Sequence, residues 1–164
     1  KLQISPRGEY ELTDTLQLLA DERKVTVIRT ADYWIPIGYP WHVLDAAEYF
    51  LPQIESDVQG IVEENVTIKG KLRLPASSRI LSGSYIDGNV VIGENVVVGP
   101  NACIRKNAVI GDNTRVGFSV QIKNAVIGRN CKVDHLAYIG DSVIGSNVYF
   151  PAMCCAWHTP CQLP

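Results

Sequence analysis

The chain has 164 residues and a mass of 18.1 kDa, which corresponds to about one domain. Lys and Arg total 15 against 17 Asp and Glu, so no basic excess indicates a nucleic-acid partner or an anionic membrane surface. No apolar run approaches the ~20 residues that a membrane span requires, and the first ten residues contain no apolar signal segment. We therefore expect a soluble cytoplasmic protein with no nucleic-acid and no membrane partner.

The first 56 residues carry no internal repeat. Residues 11–23 are typical of a helix with Thr13 or Asp14 as its N-cap, and residues 25–28 and 33–35 are typical of short strands. Pro40 opens a second predicted helix, which runs to about Phe50 with Trp41, Leu44 and Ala47 on one face. These elements are too few to close a core. We expect residues 1–56 to be the end of a larger domain, or to dock on the remaining chain or on another subunit.

A repeat of six residues begins after this segment. Large side chains occupy every sixth position over nine consecutive steps: Ile68, Leu74, Ile80, Ile86, Ile92, Val98, Ile104, Ile110, Val116 and Ile122. The spacing shortens to five residues at Ile127 and again at Ile144, and the series ends at Phe150. The residues two positions before the large ones are mostly small or β-branched, and Gly often follows the large residue. Short strands separated by Gly, Asn and Asp turns give this pattern, whereas helical spacing does not.

The repeat predicts a parallel β-helix of hexapeptide repeats over residues 57–150, followed by a tail without the period over residues 151–164. Three strands form one coil of 18 residues, so we expect Ile68, Ile86, Ile104 and Ile122 to stack on one another. The two shortened steps lie 17 residues apart. They therefore fall on the same side of successive coils, and the stack is preserved.

The five cysteines do not form a regular disulfide pattern. Cys103 and Cys131 occur singly within the repeat, and the other three lie in the last eleven residues. We expect buried free thiols. The motif Cys-Cys-x-x-His-x-x-Cys at residues 154–161 could be interpreted as a zinc site, but its adjacent cysteines and missing C-x-x-C spacing argue against that interpretation.

Two segments, S-P-R-G-E-Y-E-L-T-D and Y-W-I-P-I-G-Y-P-W-H-V-L-D-A-A-E, resemble the closing part of sugar-1-phosphate nucleotidyltransferases. The chain as a whole, to about Phe150, is similar to bifunctional enzymes with nucleotidyltransferase and glucosamine-1-phosphate N-acetyltransferase activity. The resemblance implies a mainly β fold: a left-handed parallel β-helix preceded by a short α/β segment, residues 1–56, from the end of a nucleotidyltransferase domain. The left hand is implied by the resemblance and opposes the usual crossover rule.

The segment from Gly99 to Asp141 resembles the acetyltransferase site of that family. The resemblance implies that Arg105 and Lys123 hold the sugar phosphate, that His135 is the general base, and that Tyr138 hydrogen-bonds the phosphate. The 18-residue spacing of Arg105 and Lys123 places them at equivalent positions of successive coils, which suits a dianion site. A near-neutral imidazole can take the proton of an attacking amine. The alternative is that these are turn and surface residues of a scaffold.

Several residues depart from the family pattern. The family has Asn and then Gly-Ala-Gly-Thr where this chain has Tyr149 followed by 150–153, and the later coils bind coenzyme A. We therefore expect acetyl-CoA as co-substrate at an incomplete site, and we expect the change of pattern after Phe150 to reflect a truncated or out-of-frame end. In the nucleotidyltransferase part, Glu9 matches a residue that contacts sugar hydroxyls. Pro36 replaces the magnesium-binding Asp, so Mg²⁺ is expected only in a nucleotidyltransferase core that lies before Lys1.

Two functions remain open. One is the acetyltransferase portion of a protein of nucleotide-sugar biosynthesis (UDP-N-acetylglucosamine type), acting on an amino-sugar 1-phosphate. The other is a non-catalytic trimerisation or regulatory β-helix of a glucose-1-phosphate thymidylyl- or uridylyltransferase. Parallel coils leave open edges, and the resemblance implies a homotrimer. A zinc carbonic anhydrase is excluded because only one of the three histidines lies in the repeat.

Overall fold

The computed structural model describes residues 2–157. The chain divides into two compact units, Lys1–Trp34 and Ile35–Pro164, which are described separately. In the described residues, no helix has both the length and the apolar character needed to cross a membrane.

The first unit contains one helix, α1 (Leu12–Asp21). The predicted helix is confirmed, but the predicted N-cap is wrong: Glu11 is the N-cap, without a side-chain cap bond, so Thr13 and Asp14 lie inside the first turn. The two predicted strands at residues 25–28 and 33–35 are also wrong, because both segments are irregular. Val27 and Ile28 are 82% and 87% exposed, and no other strand lies within residues 2–34 to pair with them. A β-rich sequence without a partner strand has no ladder to join.

The second unit contains a helix, α2 (Pro40–Phe50), a 3₁₀ turn (Leu51–Gln53) and all strands of the described chain. The strands are β1 (Asp57–Val58), β2 (Ile61–Val62), β3 (Thr67–Lys69), β4 (Leu72–Leu74), β5 (Arg79–Ile80), β6 (Tyr85–Asp87), β7 (Val90–Ile92), β8 (Val97–Val98), β9 (Cys103–Ile110), β10 (Arg115–Val116), β11 (Gln121–Ile127), β12 (Lys132–Val133), β13 (Tyr138–Ile144), β14 (Tyr149–Phe150) and β15 (Cys155–Trp157). The predicted second helix is confirmed at both ends.

These strands wind into a left-handed parallel β-helix with three faces, as predicted. Face 1 is the sheet β14-β12-β10-β8-β5-β2. Face 2 consists of β1, β4, β7 and the second halves of β9, β11 and β13, and face 3 consists of β3, β6, the first halves of β9, β11 and β13, and β15. β9, β11 and β13 each turn the corner between faces 3 and 2. All strand pairs are parallel.

The interior is the predicted aliphatic ladder. Ile68, Ile86, Ile104 and Ile122 are register partners on successive coils, and Ile139 continues the stack. The shortened steps also lie where predicted: β9 and β11 lose register between Lys123 and Ala125, whereas β11 and β13, both shortened, pair without a shift. The paired deletions therefore leave the core continuous.

Most corners of the coil turn through a residue with positive φ. The three columns of such residues are Asn95, Asn113, Asn130 and Asn147; Asn65, Gly83, Asn101, Ser119, Leu136 and Met153; and Gly70, Gly88, Lys106, Asn124 and Asp141. Asn and Gly dominate these columns because they adopt the left-handed conformation at the lowest cost. In the first column each Asn Nδ2 donates to the next Asn Oδ1, at 3.1 to 3.2 Å.

Helix α2 lies along the corner between faces 3 and 2 and contacts β9, β11 and β13. Pro40, Trp41 and Leu44 line a groove of about 580 Å³ with residues of the last coils, while Glu48 lies beside Asp87 and Arg105. The helix therefore runs back along the coil axis. An 11-residue helix is about 16 Å long, which matches roughly three to four coils spaced by about 4.8 Å.

Ordered stacking continues beyond the six-residue period. β15 pairs with β13 in register, with Tyr138 opposite Cys155 and Gly140 opposite Trp157. The cysteines at positions 103, 131, 154 and 155 are free, as predicted, although only Cys131 is buried. His158 and Cys161, the other members of the Cys-Cys-x-x-His-x-x-Cys motif, lie outside the described residues.

Candidate functional site

Face 3 presents two outward columns of side chains. One column contains Cys103, Gln121, Tyr138 and Cys155, and the other contains Asp87, Arg105, Lys123 and Gly140. Inward isoleucines separate the two columns because side chains alternate along a strand. Arg105 is the register partner of Lys123, which is the placement that their 18-residue spacing predicts.

Arg105 is held by a side chain of the next coil. Gln121 Oε1 accepts hydrogen bonds from Arg105 Nε at 2.7 Å and from Nη2 at 3.0 Å, in the amide orientation that gives both donors an acceptor. Arg105 as a whole residue is exposed. Arg105 therefore has a fixed direction and a free donor edge at the surface of face 3.

Lys123 is held by a carboxylate instead. Its Nζ lies 2.7 Å from Asp141 Oδ2, and Asn124 Nδ2 donates to Asp141 Oδ1 at 2.8 Å. Burial raises the pKa of the Asp141 carboxyl, but the hydrogen bonds from Lys123 and Asn124 outweigh burial, so its pKa lies below the ordinary value of 3.8. Asp141 is thus an anion at neutral pH, and it offsets part of the Lys123 charge.

Tyr138 leans toward the Lys123 column. Its ring and hydroxyl cover Gly140, where any Cβ would collide with them. Gly140 is the register partner of Lys123, so the Tyr138 hydroxyl lies beside the Lys123 position on the outward side. Arg105, Lys123 and Tyr138 are therefore gathered on one surface.

His135 lies at the edge of face 3 that is farther from α2, where face 1 ends and face 3 begins. It is exposed in the corner between β12 and β13, and its backbone carbonyl accepts a hydrogen bond from Met153 N at 3.1 Å. It precedes Tyr138 by three positions. The structure thus brings three of the predicted side chains together and leaves His135 at the border of the same face.

Asp134 and Tyr149 form a second polar cluster next to His135. The Tyr149 hydroxyl donates to Asp134 Oδ2 at 2.7 Å, and Lys132 Nζ lies 3.1 Å from Asp134 Oδ1. The bond from Tyr149, followed by that from Lys132, lowers the pKa of the Asp134 carboxyl. Tyr149 stands where the resembling family has Asn, and its hydroxyl is engaged by Asp134.

Glu9 belongs to the first unit and is exposed there, and its backbone carbonyl accepts a hydrogen bond from Ser5 N at 2.9 Å. Pro36 supplies no metal ligand. Among residues 2–157 no group of three or more His, Cys, Asp or Glu side chains could hold a metal ion.

A polar groove borders Arg105 on the side of α2. Its walls are Glu48, Asp87, Gly88, Asn89, Arg105, Lys106, Asn107 and Asn124, and its volume is about 530 Å³. The amide and carboxylate groups of these walls are donors and acceptors that suit a polar small molecule. A ligand whose phosphate contacts Arg105 therefore meets further polar groups along this groove.

Sequence reasoning missed Gln121 and Asp141, the partners of the two cations. Asp141 directly follows Gly140, the register partner of Lys123, so the repeat itself could have indicated that they are neighbours. Gln121 gives no such signal, because its contact with Arg105 is diagonal and depends on the side-chain conformations.

Comparison with known proteins shows where the chain fits. The family described as the GMPPB C-terminal domain matches residues 68–156. A bifunctional sugar-1-phosphate nucleotidylyltransferase/acetyltransferase of Sulfurisphaera tokodaii is 42% identical over 124 residues, which are 75% of this chain and 31% of that protein. The bifunctional protein GlmU of Methanocaldococcus jannaschii is 47% identical over 72 residues, 44% of this chain and 18% of that protein. The chain therefore spans less than a third of these relatives.

A solved structure shares the fold. A mutant of perosamine N-acetyltransferase from Caulobacter crescentus, in complex with CoA and GDP-perosamine, aligns with a TM-score of 0.55 at 18% identity. The alignment covers 63% of this chain and 51% of that one.

Proposed function

This chain belongs to the GMPPB C-terminal domain family, and we propose that its β-helix carries an N-acetyltransferase site for an amino-sugar 1-phosphate, with acetyl-CoA as co-substrate. The observation that carries the proposal is the grouping of Arg105, Lys123 and Tyr138 on one outward surface. The relatives with both activities support it, as does the sharing of the fold with an acetyltransferase.

Each side chain has one role in the proposed reaction. Arg105 and Lys123 bind the phosphate oxygens, and the Tyr138 hydroxyl donates a third hydrogen bond to them. His135 takes a proton from the sugar amine as its nitrogen attacks the thioester carbonyl of acetyl-CoA. A C–N bond forms, the C–S bond breaks, and the CoA thiolate leaves and is protonated to the thiol.

The wider setting of the site is also part of the proposal. The chain acts as the C-terminal portion of a cytoplasmic sugar-1-phosphate nucleotidyltransferase/acetyltransferase of nucleotide-sugar biosynthesis, and its coils assemble as a homotrimer. Glu9 contacts sugar hydroxyls in the nucleotidyltransferase part, and any Mg²⁺ is bound by carboxylates of that part rather than at Pro36.

Isothermal titration with glucosamine-1-phosphate tests the proposal. We expect the wild-type protein to release heat and Arg105→Ala to weaken binding about tenfold or more, since a charge-assisted contact contributes roughly 1.5–3 kcal/mol. Arg115→Ala is the matched control, because Arg115 is an exposed arginine of the same coil on face 1. The absence of any binding heat with the wild-type protein, or an equal loss of affinity in the two variants, would contradict a phosphate site at Arg105.

A non-catalytic coil that trimerises the parent enzyme is the second candidate. Two contacts favour it. Lys123, one of the two cations, is already paired with Asp141, and the hydroxyl of Tyr149 is already bonded to Asp134. Trimers in sedimentation together with a silent titration would support this function over acetyl transfer.

A further inference from the structure

Gln121 stands at the centre of face 3. Its backbone is fixed on both sides, since β11 pairs with β9 and with β13, and its register partners are Cys103 and Tyr138. The side chain is partly buried, and it reaches diagonally to Arg105 on the preceding coil. Because its backbone is fixed by both neighbouring strands, Gln121 can hold the Arg105 side chain in one direction.

In this contact, one oxygen atom of Gln121 accepts two hydrogen bonds from the same guanidinium. Gln121 Oε1 receives both Arg105 Nε–H and Nη2–H, at 2.7 and 3.0 Å. The opposite amide orientation would place N–H groups against N–H groups. Two of the five guanidinium donors are used by Gln121, and no residue from 2 to 157 accepts a hydrogen bond from the other three.

The two cations of the site differ in the charge of their partners. Lys123 is paired with the Asp141 carboxylate, whereas Arg105 is held by a neutral amide. A neutral acceptor fixes the direction of the guanidinium without itself offsetting the positive charge. The carboxylates beside Arg105 are Asp87, its register partner, and Glu48 of the polar groove, and neither forms an ion pair with it. Gln121 therefore orients its cation without an ion pair, whereas Asp141 orients Lys123 through one.

We propose that Gln121 is a positioning residue that orients the Arg105 guanidinium toward the phosphate of the sugar 1-phosphate without neutralising it. The identity of the ligand rests on the proposed function, whereas the orientation of Arg105 does not. Phosphate then meets a cation that is already ordered, so less side-chain entropy is lost on binding.

NMR of the Arg105 Nε–H group tests the orientation directly, in the full chain labelled with ¹⁵N-arginine. We expect slow hydrogen exchange in the wild-type protein, exchange accelerated about tenfold in Gln121→Leu, and slow exchange restored in Gln121→Glu, because the carboxylate again accepts both donors. Arg115 is the internal control, since its side chain makes no hydrogen bond to any residue from 2 to 157. Its Nε–H exchange is expected to be fast in all three proteins.

Titration with glucosamine-1-phosphate provides the second readout, with an expected five- to tenfold weaker binding in Gln121→Leu. Gln121→Ser, which is smaller and polar, replaces the leucine variant if that variant does not fold. Equal exchange of Arg105 and Arg115 in the wild-type protein, or slow exchange of Arg105 in Gln121→Leu, would overturn the positioning role. Absence of sugar-phosphate binding alongside the expected exchange pattern would overturn the proposed function and leave the positioning role supported.

Discussion

Single side chains determine how much positive charge face 3 presents. Arg105 and Lys123 are adjacent, yet Asp141 offsets the charge of Lys123 and the neutral Gln121 leaves that of Arg105 intact. The proposed phosphate site is therefore asymmetric, and we expect Asp141 to make the stability of the coil depend on pH.

We expect Asp141→Asn to flatten the acid branch of the stability curve. The pKa of Asp141 is lower in the folded than in the unfolded chain, so its stabilising effect is complete above the ordinary value of 3.8 and is lost as the pH falls through the folded pKa. Urea unfolding from pH 6 to pH 2.5 should show wild type and variant converging at the acid end. Lys123→Met, which removes the partner, should give the same convergence. A constant difference across this range would contradict the account.

Met153 lies at a corner of the coil where substitution is expected to change the free energy of unfolding. Its φ is 63°, its side chain is 75% exposed, and it occupies a column in which Asn, Gly and Ser also occur. The left-handed conformation costs a residue such as Met roughly 1–2 kcal/mol, and the cost for Asn is lower. Met153→Asn should therefore raise the free energy of unfolding by about 1 kcal/mol in denaturant titrations. The control Met153→Leu should not, and a destabilised Asn variant would refute the explanation.

The corners are the elements that join the coils. The first column of asparagines forms a ladder in which Asn113 accepts from Asn95 and donates to Asn130, both at 3.2 Å. Each of these contacts accompanies a left-handed backbone at the same residue. The column therefore fixes both the turn and the stacking distance.

Substitution at Asn113 separates these two contributions. Asn113→Ala loses the ladder bonds and adopts the left-handed backbone at a higher cost, so we expect a loss of about 2 kcal/mol in the free energy of unfolding. Asn113→Gly loses the bonds alone and should cost about half as much or less. Urea titrations compare the two variants. A glycine variant as unstable as the alanine variant would show that the backbone contributes little.

The coil could be predicted from the sequence nearly completely, because each inward position repeats every six residues and a paired deletion preserves that order. Prediction failed at residues 25–28, where β-rich composition has no partner strand, and at Glu11, an N-cap without a capping side chain. In the site, spacing predicted the Arg105–Lys123 pairing. The Gln121 contact could not be predicted, since it depends on the side-chain conformations of both residues.

At the scale of the whole second unit, the coil is a column of stacked strands that carries different side chains on different faces. Face 3 presents Arg105, Lys123 and Tyr138, whereas face 1 presents Arg115, Lys132 and Tyr149. Helix α2 lies along one corner and flanks face 3 with the polar groove that contains Glu48. Both faces carry Lys and Arg side chains, so charge alone does not decide which face binds a phosphate. The orientation of Arg105 by Gln121 is the feature that favours face 3.

Chemical-shift mapping with glucosamine-1-phosphate tests this central claim most directly. We predict that the amide signals of Arg105, Lys123 and Tyr138, together with those of the His135 corner, shift with one common dissociation constant, while Arg115 and Lys132 stay in place. Shifts concentrated at Arg115 and Lys132, or no shifts at millimolar ligand, would contradict a sugar-phosphate site on face 3.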